Sequence, residues 1–428
     1  MSVLDVKIAA ARAVGELARR AGRGGGTSLP GKVLTRLDAQ AIERLAARLS
    51  QGCAVISSTN GKTTTAAMAA AILEEAGTPL VYNRAGANMA GGVASTLLDA
   101  ARRHGGIDGE LETIADRWAA TVAGLPAGAV LACNADDPLI ADLGRHHAAV
   151  RYFGVEDPAM ATTEMQHASD SKHCRRCGHA YEYDAIYLGH LGVYHCPNCG
   201  QHRPTPDVSA RGIQLHGTRN ATFVLRAASG TAHVELPLPG LYNVYNALGA
   251  ATLCLGLGVS LETIAAGLSA VSPAFGRAER ITIGATVLSI LLIKNPAGAN
   301  EILRTLVLEP DELDVLAILN DRTADGRDIS WIWDADFEML AGRVRHVTCA
   351  GTRAAELALR LKYAGMAPDR LTVVPALDAA LDAALQAAPD GRLFALPTYT
   401  ALLQLRSELQ RRGHVAAFWS RETAGAQP

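Results

Sequence analysis

Cys53-Ala-Val-Ile-Ser57 runs directly into Ser58-Thr59-Asn60-Gly61-Lys62-Thr63-Thr64, and an alanine-rich helical pattern follows from Thr63 to Ala76. A short apolar run read as a buried strand, a Gly-Lys-Thr loop and a helix form the context that a phosphate-binding loop requires. Backbone N–H groups ahead of a helix N-terminus cradle phosphate oxygens, and the helix dipole favours their negative charge. Gly61 permits close backbone approach and Lys62 would neutralise the β- and γ-phosphates. Thr63 or Thr64 would offer a hydroxyl to Mg²⁺, with Thr63 the assigned ligand. Thr59 and Asn60 complete the loop. Residues 57–64 therefore point to a chain that binds ATP or a close relative. A chance Gly-Lys-Thr in a turn is the competing reading, and the flanking strand and helix weigh against it.

Outward from the loop, strands and helices alternate. Leu80-Val-Tyr-Asn83 reads as a strand, and so does Val130-Leu-Ala-Cys-Asn134, which ends in the polar Asn134-Ala-Asp-Asp-Pro138. Such alternation argues for a parallel, doubly wound sheet with ligands at the carboxyl ends of its strands. Residues 4–21 place apolar side chains on one helical face, a Gly-rich linker covers 22–31, and a second helix is expected over 38–49. Residues 168–205 break the rhythm with Cys, His, Tyr and Gly, and read as an insertion. Short strands return from about 218, and a helical stretch opens near 241. After Gly276 strands are expected at 287–293, 315–319, 344–349, 371–374 and 393–395.

The fold class implied is α/β. A helical segment over 1–47 precedes a central ATP-binding domain over 48–275. A second α/β domain follows over 276–422, and 423–428 form a frayed tail. The bulk numbers agree: 428 residues suit two or three domains, and 49% apolar residues suffice for sizeable cores. A net charge of −2 gives no global pull towards nucleic acid or anionic lipid. No apolar run approaches the ~18 residues of a transmembrane helix, and the N-terminus lacks the layout of a signal peptide. A cytoplasmic chain follows, free to work at the inner face of the membrane.

Four of the eight cysteines fall as Cys174/Cys177 and Cys196/Cys199, two Cys-x₂-Cys pairs separated by 18 residues. That spacing reads as a structural zinc site, closed by four thiolates with no open position for chemistry. Gly178 and Gly200 follow the pairs and help a tight turn wrap the metal. His173, His179 and His195 read as exposed residues rather than ligands. A ribbon can also bind nucleic acid, but Lys172, Arg175 and Arg176 are offset by Glu182 and Asp184. Cys53, Cys133, Cys254 and Cys349 lie in apolar runs and read as buried thiols.

Three further constellations bear on a nucleotide. Asn134 sits at a strand end. Asn243 and Asn246, three apart at a helix start, share one face and could read an adenine edge. Arg277, in Phe275-Gly-Arg-Ala-Glu-Arg280, could reach phosphates from the domain boundary. Each of these also has a capping or structural reading.

Thr59-Asn-Gly-Lys-Thr-Thr64, Asn134-Ala-Asp-Asp-Pro138, Leu238-Pro-Gly-x-x-Asn-x-x-Asn-Ala and Gly276-Arg-x-Glu resemble the Mur ligase central domain, in that order. The four-cysteine insertion narrows the resemblance to MurT-like proteins. So do Tyr82-Asn-Arg-Ala-Gly-Ala-Asn88, Lys294-Asn-Pro-Ala-Gly-Ala-Asn-Glu301, Ala324-Asp-Gly-Arg-Asp-Ile-Ser-Trp-Ile-Trp-Asp334 and Leu396-Pro-Thr-Tyr-Thr400. The resemblance implies a Mur ligase-like P-loop domain with an inserted four-cysteine zinc ribbon and a MurT-type C-terminal domain. It implies ATP, Mg²⁺ and structural Zn²⁺, a GatD-like glutaminase partner and lipid II as substrate. The reaction implied is amidation of the D-glutamate α-carboxylate through an acyl phosphate. It also implies that an acid in the C-terminal domain completes the partner's Cys-His pair, with Asp325 and Asp328 the candidates and Asp321 third.

The chain departs from that pattern in two places. Ser58 stands where the Mur loop usually carries its first glycine. After the helix at 95–98 two more strands are expected, one ending in a glutamate that holds Mg²⁺. Instead Ala101-Arg-Arg-His-Gly-Gly106 meets Ile107-Asp-Gly-Glu-Leu-Glu112 directly. On the order of thirty residues are missing, judged from the β-α-β unit that such a segment fills. Asp108, Glu110 or Glu112 could substitute only in part. Two alternatives to an active ligase follow: a nucleotide-binding scaffold of the same complex, and a stand-alone Mur- or folylpolyglutamate-type ligase. The short stretch before the loop argues against the second. A zinc-ribbon nucleic-acid binder comes last.

Overall fold

The computed structural model describes residues 3–20, 29–41, 45, 54–58, 60–78, 80, 122, 124–126, 128–162, 171–271 and 277–415. The chain divides into two compact units. One comprises Met1–Cys133, Asp142–Arg151 and Gly249–Gly267. The other comprises Asn134–Ala141, Tyr152–Leu248 and Leu268–Pro428.

In the first unit, α1 (Val3–Arg20) and α2 (Leu29–Leu37) pair through Ile8, Ala11 and Leu34, with Ala41 and Leu45 in the same cluster. Lys7 closes the pair on Asp38 at 3.1 Å. Helix α3 (Lys62–Glu75) buries Met68, Ala69, Ala70 and Ile72. It meets α6 (Leu261–Ser269) at Gly267, where a Cβ would lie 2.5 Å from the Ile72 Cα. Small residues allow that approach, which is the packing an alanine-rich composition predicts.

The expected buried strand ahead of the loop is not formed. Ala54–Ser58 carries no strand assignment, and Val55 is 81% exposed. An apolar run becomes a buried parallel strand only when strands flank it. The expected neighbouring strands fall within residues 80–121, of which only Leu80 is among the described residues. The expected strand at 80–83 lies outside the described residues apart from Leu80. Cys53, the Tyr82–Asn88 motif, most of the 38–49 helix, Asp108, Glu110, Glu112 and the 423–428 tail lie outside them as well.

Five strands form the first sheet: β1 (Leu131–Asn134), β2 (Val150–Val155), β5 (Val208–His216), β6 (Asn220–Ala227) and β7 (Gly230–Leu236), in that spatial order. The short helix α4 (Pro138–Gly144) follows β1. β2 pairs with β5 in parallel, while β5, β6 and β7 are antiparallel. The strands begin at Val208, ten residues before the sequence suggested. Between β2 and β5 stands the hairpin of β3 (Glu182–Leu188) and β4 (Leu191–His195), a two-stranded sheet of its own. Helix α5 (Leu241–Gly256) follows β7.

The second sheet lies entirely after residue 276. Its strands are β8 (Arg277–Ile283), β9 (Thr286–Leu291), β10 (Leu313–Ile318), β11 (Val344–Ala350), β12 (Leu371–Val373) and β13 (Arg392–Pro397). The spatial order is β12-β11-β10-β13-β9-β8, parallel except for the β8–β9 hairpin. Helices α7 (Pro296–Leu306), α8 (Ala354–Tyr363) and α9 (Leu377–Gln386) connect its strands, and α10 (Tyr399–Arg411) follows β13. Leu288, Ile290, Leu316, Ile318, Leu393 and Leu402 fill its core. Buried Glu309 accepts from the Thr218 N–H at 2.7 Å and from Arg392 at 3.0 Å, tying the β5–β6 turn to this sheet.

Candidate functional site

The loop before α3 has the backbone that phosphate binding needs. Gly61 caps the helix with φ 83°, the left-handed region that glycine enters without strain, and its carbonyl accepts from the Thr65 N–H at 2.9 Å. Lys62 curls back so that its ammonium donates to the Ser58 carbonyl. Asn60 is exposed, Thr63 is half-buried and Thr64 is buried. A first-turn threonine that keeps some exposure, as Thr63 does, fits a hydroxyl ligand to a cation. Thr59 lies outside the described residues.

In the second unit, Asn134 ends β1 and its Oδ1 accepts from the Asp136 N–H at 3.0 Å, holding the loop before α4 in a tight turn. Asn243 and Asn246 share a face of α5, as their spacing implies. Asn243 is buried, however, and its amide is committed. Its Nδ2 donates to the Pro239 carbonyl at 2.7 Å and its Oδ1 accepts from Asn246 at 3.1 Å. Of the two, Asn246 is the one only partly buried. Arg277 opens β8, and its side chain lies outside the described residues.

The four cysteines converge. Their sulfurs all lie within 4.8 Å of one another, with Cys174–Cys199 and Cys177–Cys196 each at 3.5 Å. A tetrahedral zinc with ~2.3 Å bonds needs sulfurs about 3.8 Å apart, so the cage fits. Two matching knuckles build it. Gly178 N–H donates to the Cys174 carbonyl at 2.7 Å, and Gly200 N–H to the Cys196 carbonyl at 3.0 Å. The Asn198 side chain and the His179 N–H hold the Cys177 thiol down to about 6. The Gln201 N–H pulls Cys199 the same way, yet desolvation and the neighbouring sulfurs push it up to about 12. Four thiols this close do not all ionise without a cation among them. His195 faces Glu182 at 3.2 Å on the hairpin, and no histidine joins the cluster among the described residues. Cys133, Cys254 and Cys349 are buried, and burial pushes the last two up to about 12.

The three candidate acids differ. The Asp325 carboxylate accepts from both the N–H and the hydroxyl of Thr400, at the first residues of α10. Asp321 accepts from the Thr352 hydroxyl at 2.8 Å and faces Arg353 at 3.5 Å. Asp328 is exposed, and the Ser330 N–H at 2.8 Å holds its carboxyl below the usual range.

Sequence reasoning missed Gln201, and it missed the network in which Arg203 and Tyr245 meet the buried Asp136. Arg203 reaches Asp136 at 2.6 Å from 67 residues away, and Tyr245 reaches it from 109. No local pattern signals such pairings. Strand β2 was missed too, although the Val150–Val155 run carries enough β-formers to have been found.

A phosphate-type loop and helix, in one chain with sheets of this topology, define a Mur ligase-type α/β protein. The pseudomurein peptide ligase type C from Methanothermus fervidus has this fold, with a TM-score of 0.60 and 22% identity over 83% of this chain and 77% of that one. The MurT ligase C-terminal family matches residues 292–402. Two relatives are the MurT subunits of lipid II isoglutaminyl synthase (glutamine-hydrolysing). The Staphylococcus aureus protein is 30% identical across 92% of this chain and 96% of its own. The Streptococcus pneumoniae protein is 29% identical across 91% and 93%. The chain belongs to the MurT family.

Proposed function

We propose that this chain is the ligase subunit of a glutamine-dependent amidotransferase that converts the D-glutamate α-carboxylate of lipid II to D-isoglutamine. The observation that carries this is the left-handed Gly61 cap with Lys62 behind it, in a chain of the MurT family. A carboxylate oxygen attacks the γ-phosphorus of ATP in line, the bond to ADP breaks, and an acyl phosphate forms. Ammonia from a GatD-like glutaminase then attacks the acyl carbon, phosphate leaves with the bonding pair, and a proton is lost to solvent. A carboxylate nucleophile needs no general base, so charge neutralisation is the main task. Lys62 would meet the phosphates, Thr63 would hold Mg²⁺, which supplies charge stabilisation, and Asn134, Asn246 and Arg277 are the further residues proposed for nucleotide binding. The four cysteines would hold a structural Zn²⁺. Domains over 48–275 and 276–422 divide this labour, and the work takes place in the cytoplasm at the inner membrane face.

Asp328 is the acid best suited to the partner's histidine, because exposure leaves its carboxylate accessible while Asp325 is bound to Thr400. A carboxylate there orients and charge-stabilises an imidazolium. Purified chain with its glutaminase should amidate lipid II only with ATP and glutamine. The Asp328→Asn variant should lose glutamine hydrolysis by the complex.

A second reading, a non-catalytic scaffold, draws on one observation. The alignment to the S. aureus relative takes 435 positions but covers 92% of 428 residues, about 394, so roughly forty positions have no counterpart here. That accords with the segment missing near residue 106 and with the exposed Val55. Glutamine hydrolysis without amidation would favour this reading.

A further inference from the structure

The loop Asn134–Pro138 is held on one side by the cysteine ribbon. The Gly192 N–H, on β4 of the ribbon, donates to the Asp136 carbonyl at 2.9 Å. His190 faces the Asp137 carboxylate at 3.4 Å. Buried Gln201 follows the last cysteine. Its Oε1 lies 3.0 Å from the Cys174 sulfur and accepts from Tyr181 at 2.9 Å, while its Nε2 reaches the Pro138 carbonyl at 3.5 Å. Arg203, where the ribbon rejoins the domain, donates to Asp136 Oδ1 at 2.6 Å and to the Val155 carbonyl at 2.9 Å.

Asp136 is fully buried and serves more than the ribbon. Its Oδ2 accepts from the Val155 N–H at 2.8 Å and from the Tyr245 hydroxyl at 2.6 Å. Tyr245 lies on α5, between Asn243 and Asn246. Gly154 leaves room for the pair, since a Cβ there would lie 2.3 Å from Asp136 Oδ1. One carboxylate thus joins the ribbon, the Asn134 turn and the helix that carries the other two asparagines. Charge-assisted bonds of this length in a dry site fix geometry closely.

We infer that the cysteine ribbon is a positioning module for base recognition, acting through Asp136 on Asn134 and, by way of α5, on Asn246. Arg203 and Tyr245 are positioning residues in this scheme and touch no nucleotide. The inference rests on the proposed reading that Asn134 and Asn246 serve nucleotide binding, with the adenine as their target.

The test separates base from phosphate recognition. A fluorescent ATP analogue bound to the full chain is displaced by ATP, GTP or inorganic tripolyphosphate. Arg203→Lys and the milder Tyr245→Phe should narrow the preference for ATP over GTP several-fold. Tripolyphosphate affinity and the thiolate absorption of cobalt-loaded cysteines should stay as in the unaltered chain, while the melting temperature falls with the lost buried hydrogen bond. Chelating the ribbon metal of the unaltered chain should reproduce the loss of preference. Unchanged preference in Tyr245→Phe and after chelation overturns the inference while leaving the function standing. An unaltered chain that binds no nucleotide overturns both.

Discussion

Ala54–Ser58 and Leu313–Ile318 are the same kind of segment in sequence: short, apolar, and followed by a polar loop. Their fates differ. Every residue of β10 is buried, between β11 and β13, whereas Val55 is 81% exposed. Apolarity makes a run eligible for a parallel sheet, and neighbours on both edges decide whether it is buried. β10 has its neighbours. Ala54–Ser58 carries no strand assignment and so has no sheet neighbour on either edge among the described residues. The loop keeps its local chemistry, because a glycine cap and a helix N-terminus do not depend on a sheet.

Four experiments probe the contrast, in falling order of effect. The ribbon's own fold would rest on the metal proposed for its four cysteines. Stripping it should unfold residues 171–203 locally, since structural zinc contributes ~10 kcal/mol or more in isolated fingers. Hydrogen exchange confined to that segment would register the change. Lys62→Ala should cut amidation by about 10²–10³-fold, the scale for removing one preorganised charge donor, with melting unaltered. If it does not, the loop is a relic.

Leu316→Ala should cost about 2–5 kcal/mol by denaturant titration, the range for a buried Leu. Val55→Ala should cost no more than about 0.5 kcal/mol, the range for exposed sites. Equal losses would mean that the 54–58 run is buried after all. Asp325→Asn should destabilise the chain by about 1–3 kcal/mol, because the start of α10 loses its carboxylate acceptor. Asp328→Asn should leave stability unchanged within about 0.5 kcal/mol.

The sequence exposed what is local. Gly61-Lys62, the paired Cys-x₂-Cys turns and the strands of the second sheet each carry their signal within a dozen residues. β10 to β13 were placed to within a few residues because buried parallel strands read as continuous apolar runs. Tertiary choices were not legible. Nothing near Arg203 announces Asp136, and nothing near Thr400 announces that Asp325 rather than Asp328 will bind it. The spacing of Asn243 and Asn246 gave a shared face, but not that Pro239 would claim one of the amides.

The proposed function is amide formation driven by a phosphate loop of intact local geometry. Mass spectrometry of lipid II incubated with the chain, its glutaminase, ATP and ¹⁵N-amide glutamine tests it most directly. The expected result is ¹⁵N in the D-glutamate α-carboxamide, dependent on ATP and absent with Lys62→Ala. Glutamine hydrolysed with no label in lipid II would contradict it.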